Sequence, residues 1–383
     1  MIKRILYTLL IMFPVVASAQ INTDRVMAIG RNALYFEDYV LSIQYFNQVI
    51  NAKPYLSDPY FYRGLAKINL DDFQGAESDC SEAIERNPFV VSAYQVRGLA
   101  RIQQNNFAGA IEDYTKALEF DPENIGVWHN MALCRIRQED YKGAKNDLDK
   151  LIAISPRYTK AYLMRGEVDL KQKDTLAAEK DFGKAIEIDR YDADTWASRA
   201  ILRLQQQRYK DAEADFDHAI RLSTRNSGVY INRALARYHQ NNLRGAMSDY
   251  DIALDIDPNN FIGHYNRGLL RAQVGDDNRA IQDFNFVIEM EPDNMMAIFN
   301  RGLLLDQTGD YKGAIKDYST VINEYPNFLL GYQYRAQARR KIGDVKGADA
   351  DEFKVLKAQL DKQNGVDPNK QTCLLYTSDA ADE

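Results

Sequence analysis

The sequence is poor in the residues that chemistry at a fixed site requires. Its 383 residues hold only 4 histidines and 3 cysteines. His129, His218, His239 and His264 stand at unrelated spacings, so they form no set with the separation of metal ligands. No H-E-x-x-H run, glycine-rich phosphate loop or nucleophile motif occurs either. These absences argue against an enzyme, and no cofactor or metal is expected. Positive charge is also short: 48 Lys and Arg against 55 Asp and Glu leave a net charge of −7. The basic residues are spread along the chain instead of forming a stripe. That disfavours nucleic acid as a partner, because neutralising phosphates needs a concentrated positive footprint.

Long apolar runs are missing except at the start. Residues 5–16, behind Lys3 and Arg4, are apolar, but the run is shorter than the roughly 20 residues of a spanning helix. It leads into Ala17-Ser18-Ala19, an A-x-A cleavage site, so 1–19 reads as a secretory signal. The expected product is cut after Ala19, exported, without a transmembrane span, and periplasmic or otherwise associated with a bacterial envelope. At the other end, 364–372 has linker composition. The final stretch, 373–383, continues no upstream pattern and looks like a translated sequencing adapter, so it is set aside together with Cys373. The two remaining cysteines, Cys80 and Cys134, read as small core side chains with no disulfide between them.

Proline is scarce, at 10 residues, yet seven of the ten are in strict register. Pro54, Pro88, Pro122 and Pro156, then Pro258, Pro292 and Pro326, fall on one period of 34 residues, with Arg190 and Thr224 at the two intervening positions. The segment 20–363 is therefore a repeat array in which each repeat touches only its neighbours. Its ten repeats begin at Thr23, Ser57, Val91, Ile125, Thr159, Ala193, Ser227, Phe261, Met295 and Leu329. Counting these as slot one, slot eight is always Gly or Ala and slot twenty is Ser42 and then nine alanines. Two small columns let two backbones approach closely.

Slots 20, 24, 27 and 28 share one helical face, with aromatics such as Phe46, Tyr114 and Phe284 at slot 24 and Ile or Leu throughout slot 28. The second part of each repeat is thus an amphipathic helix. A first helix is marked by slot four, with Tyr60, Tyr94, Trp128, Tyr162, Trp196, Tyr230 and Tyr332. Slot sixteen is Asp or Asn in nine repeats, Arg208 being the exception, and such a side chain caps the helix that follows it. The periodic proline ends each repeat, since it cannot sit inside a helix.

Small-8, Ala-20, aromatic-24, Ala/Val-27 and Pro-32 on this period resemble the tetratricopeptide repeat. The resemblance covers nearly all of 23–363; its departures are a loose first repeat, with Ile29 and Ala33, and Lys or Arg at slot eleven where the family often has Tyr. It implies an all-α, right-handed superhelical solenoid of about ten hairpins whose first helices line a concave groove for a protein or peptide partner. By the family's pattern the groove lies at slots two, five, six, nine, twelve and thirteen of the first helix, and repeats seven to nine carry an apolar strip with amides beside it at three of these, slots five, six and nine: Ile231, Asn232 and Leu235; Tyr265, Asn266 and Leu269; Phe299, Asn300 and Leu303. Apolar anchors beside amides suit an extended peptide; the plainer alternative is that slots five and nine pack between neighbouring first helices. The family's carboxylate clamp is disfavoured, because Gln95, Leu99 and Met164 stand where three of its five residues belong.

Two charged columns remain. Slot seven is Arg in eight repeats and slot 23 is Asp in nine. They read as an ion-pair ladder between the two helices of a hairpin; an anion-binding arginine stripe is the sharper alternative and fails if each guanidinium is already occupied. The expected function is a non-enzymatic scaffold for protein–protein interaction. The competing reading makes the array the N-terminal arm of a larger envelope protein or enzyme.

Overall fold

The computed structural model describes residues 22–223 and 225–363. The expected signal over 1–19, the stretches 364–372 and 373–383, and Thr224 lie outside the described residues. Within them the chain forms twenty helices and no strand. In order they are α1 (Thr23–Tyr35), α2 (Tyr39–Ala52), α3 (Asp58–Ile68), α4 (Phe73–Arg86), α5 (Val91–Gln103), α6 (Phe107–Phe120), α7 (Ile125–Arg137), α8 (Tyr141–Ile154), α9 (Thr159–Lys171) and α10 (Thr175–Ile188). They continue with α11 (Ala193–Gln205), α12 (Tyr209–Leu222), α13 (Ser227–His239), α14 (Leu243–Ile256), α15 (Phe261–Gln273), α16 (Asp277–Met290), α17 (Met295–Thr308), α18 (Tyr311–Glu324), α19 (Leu329–Lys341) and α20 (Val345–Gln363). Within each half, successive odd and even helices pair as hairpins. The chain divides into two compact halves, Met1–Asp181 and Phe182–Glu383, and the division falls inside α10.

The small columns are where hairpins close. Every slot-eight residue is buried, and a Cβ added to Gly98 would stand 2.7 Å from the Tyr114 ring, one added to Gly302 2.9 Å from the Tyr318 ring. Slot eight thus leaves room for slot 24 of the same hairpin, and the nine alanines of slot twenty are fully buried beside it. Slot 27 is buried in all ten repeats; slot 28 is buried or half-buried in nine, and Leu356 of the last repeat is exposed. Cys80 occupies slot 24 and Cys134 slot ten, both fully buried and free. Burial pushes the Cys80 thiol up to about 12, helped by the nearby Asp79 charge, and the Cys134 thiol to about 11.

Turns and caps repeat with the same regularity. Slot sixteen accepts from the backbone N–H three residues on in eight repeats, for example Asp72 from Gly75 at 2.9 Å and Asp310 from Gly313 at 3.0 Å. Asp276 departs from the expectation: it makes no cap and instead meets Arg279 at 3.4 Å. The residue before the cap, slot fifteen, is left-handed in every hairpin. Glycine takes it at Gly275, Gly309 and Gly343, but Glu37, Asp71, Asn105, Glu139, Lys173, Gln207 and Asn241 hold φ between 58° and 64° without that freedom.

In four repeats an aromatic slot-four residue anchors its repeat to the end of the one before. Tyr60 Oη donates to the Pro54 carbonyl at 3.2 Å, Trp128 Nε1 to Pro122 at 2.8 Å, Tyr162 Oη to Pro156 at 3.1 Å, and Trp196 Nε1 to Arg190 at 3.0 Å. Each bond satisfies a polar tip that the slot-four ring carries into the hairpin junction; such a bond contributes about 1 kcal/mol net. Because the acceptor is a carbonyl, Arg190 serves as well as proline.

Candidate functional site

The charged columns form the ladder. Arg63 reaches Asp79 through Nε at 2.8 Å and Nη2 at 2.5 Å, and Arg267 reaches Asp283 through the same two nitrogens at 3.1 and 2.8 Å. All eight slot-seven arginines make this two-bond contact, in which the guanidinium fork matches a carboxylate. In seven of them Nη1 also bonds the slot-25 side chain of the preceding hairpin, such as Asn47 from Arg63, Asp217 from Arg233 and Ser319 from Arg335. The guanidinium therefore ties three helices together and has no bidentate face left for an anion. Slot 25 was not singled out from the sequence, although its run of Asn, Ser, Thr and Asp is a readable signal.

A second cation meets most of the same carboxylates from slot eleven, as Lys67 does Asp79 at 2.8 Å, Arg101 does Asp113 at 3.0 Å and Arg271 does Asp283 at 2.7 Å. That explains why Lys or Arg stands there. Slot eleven also crosses to slot 21 of the hairpin before: Arg101 meets Glu77 and Arg237 meets Glu213. Between repeats four and five the two charges are exchanged, with Lys145 on Asp169 at 2.5 Å. Charge pairing at this position survives inversion, so complementarity and not a particular residue is what joins the hairpins.

Asp283 carries the fullest rung. Burial opposes its charge, but hydrogen bonds from His264 Nδ1 at 2.9 Å and from Arg267, with the charges of Arg267 and Arg271, prevail and hold its carboxyl below the usual range. Asp147 has one bonded cation, Arg135 at 2.7 Å, and there burial prevails and holds the carboxyl above the usual range. His264 takes the slot-four place in its repeat: Nε2 lies 3.1 Å from the Pro258 carbonyl and the ring stacks on Phe286 at 4.1 Å.

The nine residues expected in the groove all lie in the C-terminal half, and the structure sorts them. At slot five, Ile231 is buried, and Phe299 is half-buried amid Tyr318, Phe328 and Tyr334, with centroids 5.1–5.9 Å away. Tyr265 is half-buried; its ring meets Phe284 edge-on at 5.8 Å and its hydroxyl accepts from Asn300 at 3.1 Å. Slot five thus packs between neighbouring helices. At slot nine, Leu235 and Leu303 are half-buried while Leu269 is 40% exposed. Ile262, two turns before it at slot two, is 49% exposed; slot two is one of the expected groove slots, though this residue is not among the nine. Asn232 and Asn266 are half-buried and make no side-chain hydrogen bond among the described residues. The accessible positions among these are therefore Ile262 and Leu269 on α15, with the half-buried amides of Asn232 on α13 and Asn266 on α15.

Among the described residues no group of three His, Cys, Asp or Glu could hold a metal ion, and no helix is long and apolar enough to cross a membrane.

Comparison with known proteins gives matches in kind. A family model described as TPR repeat matches residues 98–134, and models described as tetratricopeptide repeat match 125–158, 159–192, 198–261 and 265–327, together more than half of the 383 residues. No curated protein matches. Among solved structures, a tetratricopeptide repeat protein from Parabacteroides merdae is 21% identical with a TM-score of 0.51, covering 65% of this chain and 98% of that one. The C-terminal part of a TPR repeat-containing protein from Cytophaga hutchinsonii is 18% identical with a TM-score of 0.52, covering 62% of this chain and 97% of that one. At such identities the likeness is one of fold.

Proposed function

The chain belongs to the tetratricopeptide-repeat family, and on that premise we propose that it is an interaction scaffold holding an extended segment of a protein or peptide partner against the first helices of repeats seven to nine. The observation that supports this most is exposed Leu269 one turn from the unengaged amide of Asn266 on α15, with a second unengaged amide, Asn232, at the same slot of the repeat before. An exposed apolar anchor offers burial to a partner side chain, and the neighbouring amides offer a backbone both donors and acceptors. The charged ladder, by contrast, is spent on joining helices. The pattern of residues 1–19 supports export, so the partner is sought in the bacterial envelope; a mature chain beginning at Gln20 is the expected result of N-terminal sequencing.

A photo-crosslinking side chain placed at position 269 in cells tests this reading against the same group at Glu289, an exposed position on α16. A discrete adduct at 269 and none at 289 is expected. Equal yields at both, or none at 269, would contradict it.

A further inference from the structure

Repeat four departs from its neighbours at one position. In eight repeats the slot-seven arginine meets the slot-23 carboxylate of its own hairpin, in seven it also bonds the slot-25 side chain of the hairpin before, and in six the slot-four ring completes the cradle, 5.1–5.7 Å from the guanidinium carbon. In repeat four slot seven is Met131. The rest of the cradle is still there: Asp147 at slot 23, 5% exposed, Thr115 at slot 25 and the Trp128 ring at slot four. Repeat one shows what loss of the whole rung looks like, because Ile29 and Tyr45 replace its arginine and aspartate together. Repeat four has kept a buried acid without the arginine that every other such acid receives.

A methionine ends where the guanidinium of an arginine would begin, and Met131 Sδ lies 4.0 Å from Thr115 Oγ1. An open cavity of about 350 Å³ is bounded here by Thr115, Trp128, Met131, Arg135, Asp147 and Lys150; repeat three has its counterpart, about 660 Å³, with Arg97 in place, so what sets repeat four apart is the missing guanidinium beside Asp147 and not the opening itself. Lys150 stands 4.7 Å from the Trp128 ring centroid, but it is no substitute for the absent arginine. Repeat ten carries both cations at once, Lys354 at 5.0 Å and Arg335 at 5.5 Å from the Tyr332 ring.

We propose that this cavity takes the guanidinium of an arginine side chain brought by a protein or peptide partner. The Asp147 carboxylate accepts from the fork, the Thr115 hydroxyl accepts from the outer nitrogen as Ser81 does from Arg97 at 3.1 Å, and the Trp128 ring lies beneath. The site lies in the N-terminal half and does not depend on the Leu269 face, so either can fail alone.

Trp128 reports on its own pocket. With Trp196, the other of the two tryptophans, replaced by Phe, the full-length protein is titrated with acetyl-Gly-Gly-Arg-Gly-Gly-amide and with the same peptide carrying citrulline, which keeps the shape and loses the charge. A saturable change in Trp128 emission is expected, with the arginine peptide binding at least roughly tenfold tighter than the citrulline peptide. Met131→Arg should fill the cradle from within, abolishing the response and raising the melting temperature; Asp147→Asn should abolish it without filling the space. No response to arginine, an equal response to citrulline, or a response that survives in Asp147→Asn would overturn the proposal.

Discussion

The ring of Tyr114 stands over the bare Cα of Gly98, so close that a methyl group there would lie 2.7 Å from its Cε1 atom. Tyr114 is fully buried and cannot swing out without opening the hairpin of α5 and α6. Gly98→Ala should therefore cost about 1–3 kcal/mol, the usual range for overpacking. Gly126, in the first turn of α7, is the control: the nearest atom to an added Cβ is 3.5 Å away, and alanine there should stabilise by up to about 1 kcal/mol through helix propensity. Urea melts of the two variants check the pair.

The hairpin turns carry backbone strain that glycine relieves. Lys173 sits at φ 64° while Gly309, at the same slot, sits at φ 90° with open space where a Cβ would be. The left-handed conformation costs a residue with a side chain about 1 kcal/mol. Lys173→Gly should accordingly raise the melting temperature and Gly309→Ala lower it. Opposite signs at equivalent slots are the outcome that thermal unfolding would read.

The two extreme rungs of the ladder should answer pH in opposite senses. Asp283 is ionised more readily folded than unfolded, so its contribution is present above the unfolded carboxyl value of about 3.9 and is lost as pH falls through the lower folded value. Asp283→Asn should cost about 3 kcal/mol near neutral pH, because it strands buried cations, and the deficit should shrink in acid. Asp147 is protonated more readily folded than unfolded, so the wild type loses stability as pH rises through its raised value. Asp147→Asn should be neutral or stabilising at pH 7, with the difference closing in acid. Denaturant melts from pH 3 to pH 7 measure both.

Much of this was legible because the array repeats itself. One glycine says little, but Gly64, Gly98, Gly268 and Gly302 at one slot, each opposite slot 24, announce a close approach of backbones. The same logic gave the caps and the pairing of slots seven and 23. What stayed hidden depends on which neighbour a side chain meets in space. Phe299 and Leu269 share the sequence character of groove residues, yet Phe299 is gathered into a ring cluster and Leu269 is left outside. The missing arginine opposite Asp147 was hidden for another reason: Met131 looks like an ordinary apolar residue on a helix, and only its neighbours show that the other repeats carry arginine there.

The central claim is that the ladder holds the scaffold together while the Leu269 face does the binding. Its most direct test uses two residues two positions apart on α15. The affinity of a partner captured at position 269 is measured for Leu269→Asp and for Arg267→Ala, with the melting temperature of each. Leu269→Asp should lose binding by at least roughly tenfold at an unchanged melting temperature, and Arg267→Ala should melt earlier but bind as before when folded. Binding that survives in Leu269→Asp and disappears in folded Arg267→Ala would contradict the account.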